Sequence, residues 1–317
     1  LDNFFRFPIF IGGFCIMKKI LLVALVLSLS LSIGLAQDKV AIERANHNIV
    51  KNQSLVNPNM HTGQPARATL TLLESFDVGL LTGEGLCAGI DFDGTDWWMT
   101  GTGDGSLYGN YALYQIDRYA TTFTKYSNPQ MTWYPPLDIA DAPTTDVVNA
   151  APYDYDGYNN DVIPHTSGIA DPSTILGQCT FGQPTGQCYD PDTGTYWVME
   201  AWNANIHNID ANGTLTQFVD GSPGTMGMAM DKRIAGYDYI WTFQQVYVSY
   251  GVYDPQFMIF DPQMGMYLTE TYSATGTELP GGACIADVTG YTNPVPVGLF
   301  QAPDDYVDIY ALPARAI

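Results

Sequence analysis

Two acidic loops carry the residue types that bind a hard cation. Residues 91–96 read DFDGTD and residues 154–161 read DYDGYNND, with carboxylates at alternating positions around a glycine. Such spacing resembles part of a calcium loop, although neither segment has the full twelve-residue pattern with its terminal Glu. Asp-Gly is also the commonest hairpin turn. We interpret 91–96 as a turn and take Asp154, Asp156 and Asp161 as a candidate calcium site.

Four cysteines could form disulfides or bind zinc. Cys87, Cys188 and Cys284 each follow a glycine by two residues, in a pattern whose fourth copy has Ala229 instead. Cysteine in that position can serve as a small apolar residue. The disulfides Cys87–Cys284 and Cys179–Cys188 are the alternatives, since an oxidising compartment permits them. Zinc is disfavoured because the sequence has no paired C-x-x-C and no nearby histidine cluster.

Motifs for catalysis are scarce. The sequence has no G-x-S-x-G, and its four histidines, at 47, 61, 165 and 207, are scattered. We expect His207 to face solvent. A glycosidase would use paired carboxylates, but four aspartates recur at one repeat position, which is typical of turns: Asp91, Asp190, Asp231 and Asp287. We therefore predict no catalytic residue.

These residues belong to a repeated unit. The segment GQCYD at 186–190 recurs as GMAMD at 227–231, and with insertions as GACIAD at 282–287 and GLCAGID at 85–91. Each copy precedes a turn, an aromatic strand and further short strands. A degenerate copy occupies 135–181.

Four short strands per copy and a period of about 40–50 residues are typical of a β-propeller blade. One such sheet cannot cover both of its faces, so neighbouring copies pack against each other radially. The predicted fold is all-β, a single β-propeller with five four-stranded blades; six blades are an alternative count, and a two-sheet sandwich is an alternative architecture.

The two ends of the repeat array predict how the ring closes. Residues 69–78 (TLTLLESFDV) have the pattern of a strand without a blade, whereas the last copy lacks its outer strand. We expect 69–78 to pair with the strand around 307–312, which removes an open edge. Leu70 and Leu72 are expected to face the neighbouring blade.

Polar and aromatic residues at the ends of the second strands are candidates for ligand binding: Glu200, Trp202, Gln244 and Gln301. In a propeller these positions border the central channel, where aromatic and amide groups suit sugars or peptide backbones. Alternatively, Trp202 packs between blades and the glutamines cap exposed strand backbone.

Several segments resemble secreted bacterial β-propeller proteins with degenerate repeats, in the broad streptogramin-lyase-like, NHL-like and YVTN-like superfamily. The segments are GQCYDPDTGTYWVMEAWNANIHNIDANGTL, YIWTFQQ, GGACIADVTG and VGLFQAPDDYVDIYAL. The resemblance covers about residues 70–312. It implies a propeller and export, but it assigns no activity.

The N-terminal residues predict export. Met17-Lys18-Lys19 is a basic start, Ile20–Leu35 is apolar, and Gly34-Leu35-Ala36 supplies the small residues of a cleavage site. We assign 1–16 to an upstream or misassigned start, 17–36 to a signal peptide, 37–68 to a mobile leader and 69–317 to the propeller domain. The apolar run is too short for a membrane anchor. Cleavage near Ala36 would release a periplasmic or extracellular protein.

The net charge of −21 limits the partners. Nucleic acid and anionic membranes are excluded, because binding to phosphates depends on clusters of Lys and Arg. The sequence predicts a secreted, monomeric, non-catalytic propeller that binds a glycan or protein at one face of the channel, with no cofactor other than the candidate calcium. The alternative is a metal-dependent hydrolase or lyase, glycosidase-like or streptogramin-lyase-like, at the channel mouth.

Overall fold

The chain is almost entirely β. The computed structural model describes residues 67–102, 110–132, 138–142, 147–150, 160–171, 173–174, 177–179, 184–200, 205–210, 215–220, 225–234, 237–249, 252–276, 278–301 and 305–312. They lie in the compact unit Ile49–Ile317. These ranges contain strands β1–β22 and the short helix α1 (Val78–Thr82). No helix within them is long and apolar enough to cross a membrane.

The strands form five separate sheets in the described ranges. Sheet 1 contains β3 (Cys87–Phe92), β4 (Asp96–Gly101), β5 (Asn110–Asp117) and β6 (Phe123–Thr132). Sheet 2 contains β7 (Ile139–Ala142), β8 (Val147–Ala150), β9 (Asn160–Thr166), β10 (Ile169–Ala170) and β11 (Gly177–Cys179). Sheet 3 contains β12 (Pro184–Asp190), β13 (Thr195–Glu200), β14 (Asn205–Ile209) and β15 (Leu215–Asp220).

The remaining two sheets each recruit a strand from the N-terminal part of the chain. Sheet 4 contains β16 (Thr225–Ile234), β17 (Tyr237–Ser249), β18 (Val252–Asp261), β19 (Met266–Ser273) and β1 (Arg67–Thr69). Sheet 5 contains β20 (Leu279–Ala286), β21 (Val295–Gln301), β22 (Tyr306–Ala311) and β2 (Thr71–Asp77). The sheets follow the repeated copies of the sequence, including the degenerate copy.

The first strands of the sheets contact each other in cyclic order. These innermost strands are β3, β7, β12, β16 and β20; each contacts the next, and β20 contacts β3. Glycines allow the close approach, because a Cβ on Gly227 would lie 2.4 Å from the backbone nitrogen of Ala283. A Cβ on Gly282 would lie 2.7 Å from the Cα of Gly89.

Apolar side chains fill each interface between consecutive sheets. Trp98 of sheet 1 packs in one cluster with Ile163 of sheet 2, and Trp197 of sheet 3 packs in another with Phe260 of sheet 4. Three further clusters join sheets 2 and 3, sheets 4 and 5, and sheets 5 and 1. The core is therefore divided into five layers, and each sheet buries both faces against neighbours.

The predicted pairing of the N-terminal strand with the last repeat is confirmed. β2 runs antiparallel to β22, with Thr71 opposite Ala311 and Asp77 opposite Tyr306. The Arg118 guanidinium binds both carboxylate oxygens of Glu74, at 3.0 Å each, and so fixes β2 to sheet 1. Burial of strand edges against partners protects them from pairing with other chains.

Two details of this segment differ from the sequence-based expectation. β1 is an additional strand that pairs in parallel with β19, so the segment serves two sheets rather than one. Leu70, between β1 and β2, is buried as predicted, but the prediction for Leu72 is wrong because this side chain is 41% exposed. The chain crosses from sheet 4 to sheet 5 at Leu70. Just after this crossing, the pairing of β2 with β22 is irregular between Leu72 and Glu74, and this irregularity changes the side of the sheet on which Leu72 lies.

Candidate functional site

The aspartates that follow the innermost strands build turns. Asp93 Oδ1 accepts hydrogen bonds from the backbone nitrogens of Thr95 and Asp96, at 2.8 and 2.7 Å. Gly94 has a φ of 93°, which a residue with a side chain rarely adopts. Turn formation at 91–96 is thus confirmed.

A cavity of about 270 Å³ lies where four innermost strands end. β3 contributes Asp91 and Phe92, β12 contributes Cys188, β16 contributes Met228 and Lys232, and β20 contributes Cys284. A site whose walls come from four different sheets can form only when the ring is assembled. The lining combines sulfur-bearing and apolar side chains with the charged groups of Asp91 and Lys232.

The thiols in this cavity are free and buried. Cys188 and Cys284 line it, and both are unpaired, as is Cys87 in β3. Neither disulfide considered from the sequence is present: the Cys87–Cys284 alternative fails because both are free, and the Cys179–Cys188 alternative fails because Cys188 is free. Burial raises the pKa of Cys188 and Cys284, with nearby carboxylates adding to the effect, so the thiols remain protonated.

A buried carboxylate, Asp138, adjoins the cavity from sheet 2. Asp138 directly precedes β7, and its Oδ2 accepts hydrogen bonds from the backbone nitrogens of Gln187 (3.0 Å) and Met228 (2.9 Å). Its Oδ1 has no hydrogen-bond partner, although the residue is only 2% exposed. Burial raises the pKa of Asp138 well above the usual range, and the nearby Asp91 adds to the increase. Sequence reasoning missed this residue because no motif marks it.

The charged side of the cavity is built around Lys232. Its Nζ contacts Asp190 Oδ1 at 2.6 Å, Asp192 Oδ2 at 2.9 Å and Asp238 Oδ1 at 3.0 Å. Partial burial alone would lower the pKa of Lys232, but the hydrogen bonds to the three carboxylates outweigh it and raise this pKa. The same three aspartates are the one group in the described residues with metal-ligand spacing. The Lys232 ammonium already lies among them and offsets part of their negative charge.

The predicted ligand residues lie at the opposite end of the strands. Gln244 pairs with Thr225 and Gln301 with Leu279, the first residues of β16 and β20. Both glutamines are buried, and Gln244 Nε2 donates to Thr242 Oγ1 at 3.3 Å. Glu200 ends β13 at this same end.

Other predicted site residues fall outside the described part of the chain. Trp202, Asp154 and Asp156 are among them, and the side chains of Glu200, Asp161 and Cys179 are likewise not described although their backbones lie in strands. The ligand role of Glu200 and Trp202 and the calcium site therefore remain predictions.

The histidines of the described strands are core residues. His207 in β14 is buried, so the expectation that it faces solvent is wrong. His165 in β9 is also buried; its Nδ1 contacts the carbonyl oxygen of Ile163 at 3.2 Å, and its ring meets Tyr111 edge-on. A strand between two packed sheets buries both faces, which alternation along the strand alone does not reveal.

A scan against protein-family models and a search of curated proteins each found no match. The solved structures that match this chain are only weakly similar to it. A chain from "Crystal structure of Nidogen/Laminin Complex" is 11% identical over 69% of this chain and 77% of its own length, with a TM-score of 0.43. Hydrazine synthase of Kuenenia stuttgartiensis is 13% identical over 69% of this chain and 56% of its own, with a TM-score of 0.42. A glucose dehydrogenase is 12% identical over 78% and 83%, with a TM-score of 0.42.

Proposed function

We propose that this chain is an exported, five-bladed β-propeller that binds a small ligand, without catalysis, in the cavity at one end of its channel. The five sheets, their cyclic contacts and the five apolar interfaces support the blade count. The basic and apolar order of residues 17–36 supports export.

One observation carries the proposal: four innermost strands converge on a single cavity. Ligand sites of this kind are concave and mostly apolar, with a few polar groups that set orientation. Binding is favoured over covalent catalysis because a thiolate, not a thiol, is the nucleophile. The raised pKa of Cys188 and Cys284 keeps both sulfurs protonated at neutral pH.

Metal-assisted hydrolysis gains no support from the charged side of the cavity. The carboxylates of Asp190, Asp192 and Asp238 surround the Lys232 ammonium, which takes the place that a cation would need. A site that binds its ligand inside the cavity, without a metal ion, agrees better with this arrangement of Lys232 and the aspartates.

A fragment screen by ligand-observed NMR tests the proposal. Ile285 lines the cavity and is half-buried, so Ile285→Trp should fill it and abolish fragment binding. Ile169→Trp is the matched control, because Ile169 is exposed on sheet 2. Thermal melting verifies that both variants fold. Binding that persists in folded Ile285→Trp, or a complete lack of hits with the unmodified chain, would contradict the proposal.

A further inference from the structure

The charged groups around the cavity determine whether it favours an anionic or a cationic ligand. The Asp91 carboxylate stands in the wall. Among the described residues that line the cavity, Lys232 is the one cation, and the three aspartates around it carry more negative charge than its ammonium can offset. The local charge is therefore negative, in a chain of net charge −21. An anion would be repelled, and a cation would be attracted.

The rest of the lining suits an organic body rather than a bare ion. Phe92 and Tyr189 bring aromatic rings, and Met228 and Met230 bring polarisable thioethers. Aromatic faces attract ammonium groups, and thioethers adapt to irregular apolar shapes. The cavity of about 270 Å³ lies just below the range of roughly 300–1,000 Å³ typical of drug-sized ligands. A single water takes only about 30 Å³.

From this combination, and building on the proposed function, we infer that the ligand is a small organic cation. Its ammonium group would lie against the Asp91 carboxylate, and its apolar part would lie against Phe92, Met228 and Met230. Asp91 Oδ1 also accepts a hydrogen bond from the backbone nitrogen of Phe92, at 2.7 Å. That bond orients the carboxylate before a ligand arrives, which lowers the cost of ordering it on binding.

Three probes of matched size test the ligand class by calorimetry on the full chain. Phenethylammonium is cationic, 2-phenylethanol is its neutral counterpart, and phenylacetate is anionic. Work at about 0.15 M salt limits the contribution of distant surface charge, because the screening length is then about 8 Å. Phenethylammonium should bind at least about tenfold more tightly than 2-phenylethanol, and phenylacetate should bind least, since hydrogen bonds to charged groups are the stronger ones.

Two variants localise the effect. Asp91→Asn should remove the preference for the ammonium probe, whereas Asp287→Asn should retain it. Asp287 occupies the same repeat position and carries the same charge, but it is exposed and does not line the cavity. Equal affinity for the neutral and cationic probes, or a preference retained in Asp91→Asn, would overturn the inference.

The outcomes separate this inference from the proposed function. If 2-phenylethanol binds as well as the ammonium probe and Ile285→Trp abolishes both, the ligand class is wrong and the cavity remains a binding site. If none of the three probes binds, the ligand class is overturned, and the fragment screen with Ile285→Trp decides the proposed function independently.

Discussion

Asp138 joins three of the five innermost strands through one carboxylate. The residue directly precedes β7, and its Oδ2 accepts hydrogen bonds from backbone nitrogens of β12 and β16. Each innermost strand is the terminal strand of its sheet, so in the described ranges the backbone groups along one of its edges have no strand partner. A buried acceptor at this point satisfies two of those groups, since an unpaired buried N–H costs stability.

Replacement of Asp138 should therefore destabilise the protein, and the loss should depend on whether the new side chain can accept the two backbone hydrogen bonds. Asp138→Ala leaves the Gln187 and Met228 nitrogens unpaired, and we expect a loss of about 2–4 kcal/mol in the free energy of unfolding. Asp138→Asn keeps an acceptor oxygen and should lose less at neutral pH. Urea unfolding measures both.

The pH dependence distinguishes Asp138 from other carboxylates. Its pKa is raised in the folded state, so the folded chain binds this proton more tightly than the unfolded chain does. The stabilisation that comes from this tighter proton binding is complete below the ordinary Asp pKa of about 4 and is lost as pH rises through the raised pKa of Asp138. Relative to wild type, Asp138→Asn should thus gain stability as pH increases from about 4 towards 8. A constant difference would contradict a raised pKa.

The Lys232 ammonium holds three aspartates together. Lys232→Met should lose about 1–3 kcal/mol, because hydrogen bonds to three charged partners disappear. The three bare carboxylates, whose oxygens lie within 4.8 Å of one another, should then bind Ca²⁺. Thermal melting should show a larger calcium-dependent rise for Lys232→Met than for the wild type. Lys125→Met is the control: Lys125 is exposed, and its Nζ lies 3.8 Å from a Glu84 oxygen and over the Tyr114 ring. A calcium response of the same size in that control would refute a local site.

The buried thiols should be unreactive in the folded protein and should contribute modestly to its stability through packing. Cys188→Ala should cost only about 1 kcal/mol, since Ala229 occupies the equivalent position in β16 and one sulfur leaves a small cavity. Thiol titration should detect Cys188 only after unfolding. A loss above about 3 kcal/mol would indicate a covalent role of the kind that disulfides have.

At the scale of elements, the segment β1–β2 completes the last two sheets of the repeat array. β1 lies on β19 in sheet 4, β2 lies on β22 in sheet 5, and Leu70 enters the apolar cluster between those sheets. Edge strands without partners expose backbone groups that promote aggregation. This crossing covers the outer edges of both β19 and β22.

Leu70 tests the importance of this crossing. Leu70→Ala should lower the free energy of unfolding by about 2–5 kcal/mol, the usual cost of truncating a buried leucine. Leu73→Ala in the same segment should stay within about 0.5 kcal/mol, the range of ordinary surface changes, because Leu73 is 39% exposed. Equal effects on the urea midpoint would mean that the segment does not pack between the sheets.

At the scale of the whole molecule, five apolar interfaces join the sheets of a chain whose net charge is −21. A net charge this far from zero opposes the close approach of two copies and attracts cations.

Export itself is testable by mass spectrometry. Expression in a bacterium should yield mature protein that begins at Gln37, since the small residues before it form the expected cleavage site. Ala36→Pro should block processing and leave the protein unprocessed. An intact Met17 terminus on membrane-bound wild-type protein would contradict the signal-peptide assignment.

Local patterns in the sequence determined the repeats, the turns and the strand that completes sheet 5. The Gly-x-Cys or Gly-x-Ala pattern marks the innermost strands of sheets 1, 3, 4 and 5, and Asp93-Gly94 marks a turn. These features depend on a few neighbouring residues, so periodicity and turn chemistry reveal them. Even the partner of residues 69–78 was predictable, because the last repeat lacked one strand.

Only the tertiary structure decided which end of the ring holds the cavity and which side chains meet there. Gln244 and Gln301 lie at the end opposite the cavity. Asp138 of sheet 2 binds the backbone nitrogen of Met228 in sheet 4, and because 90 residues separate the two, only the packing of the sheets brings them together. The prediction for His207 was wrong for the same reason. Whether a strand is buried on both faces depends on the sheets that pack against it, and the strand's own sequence does not specify them.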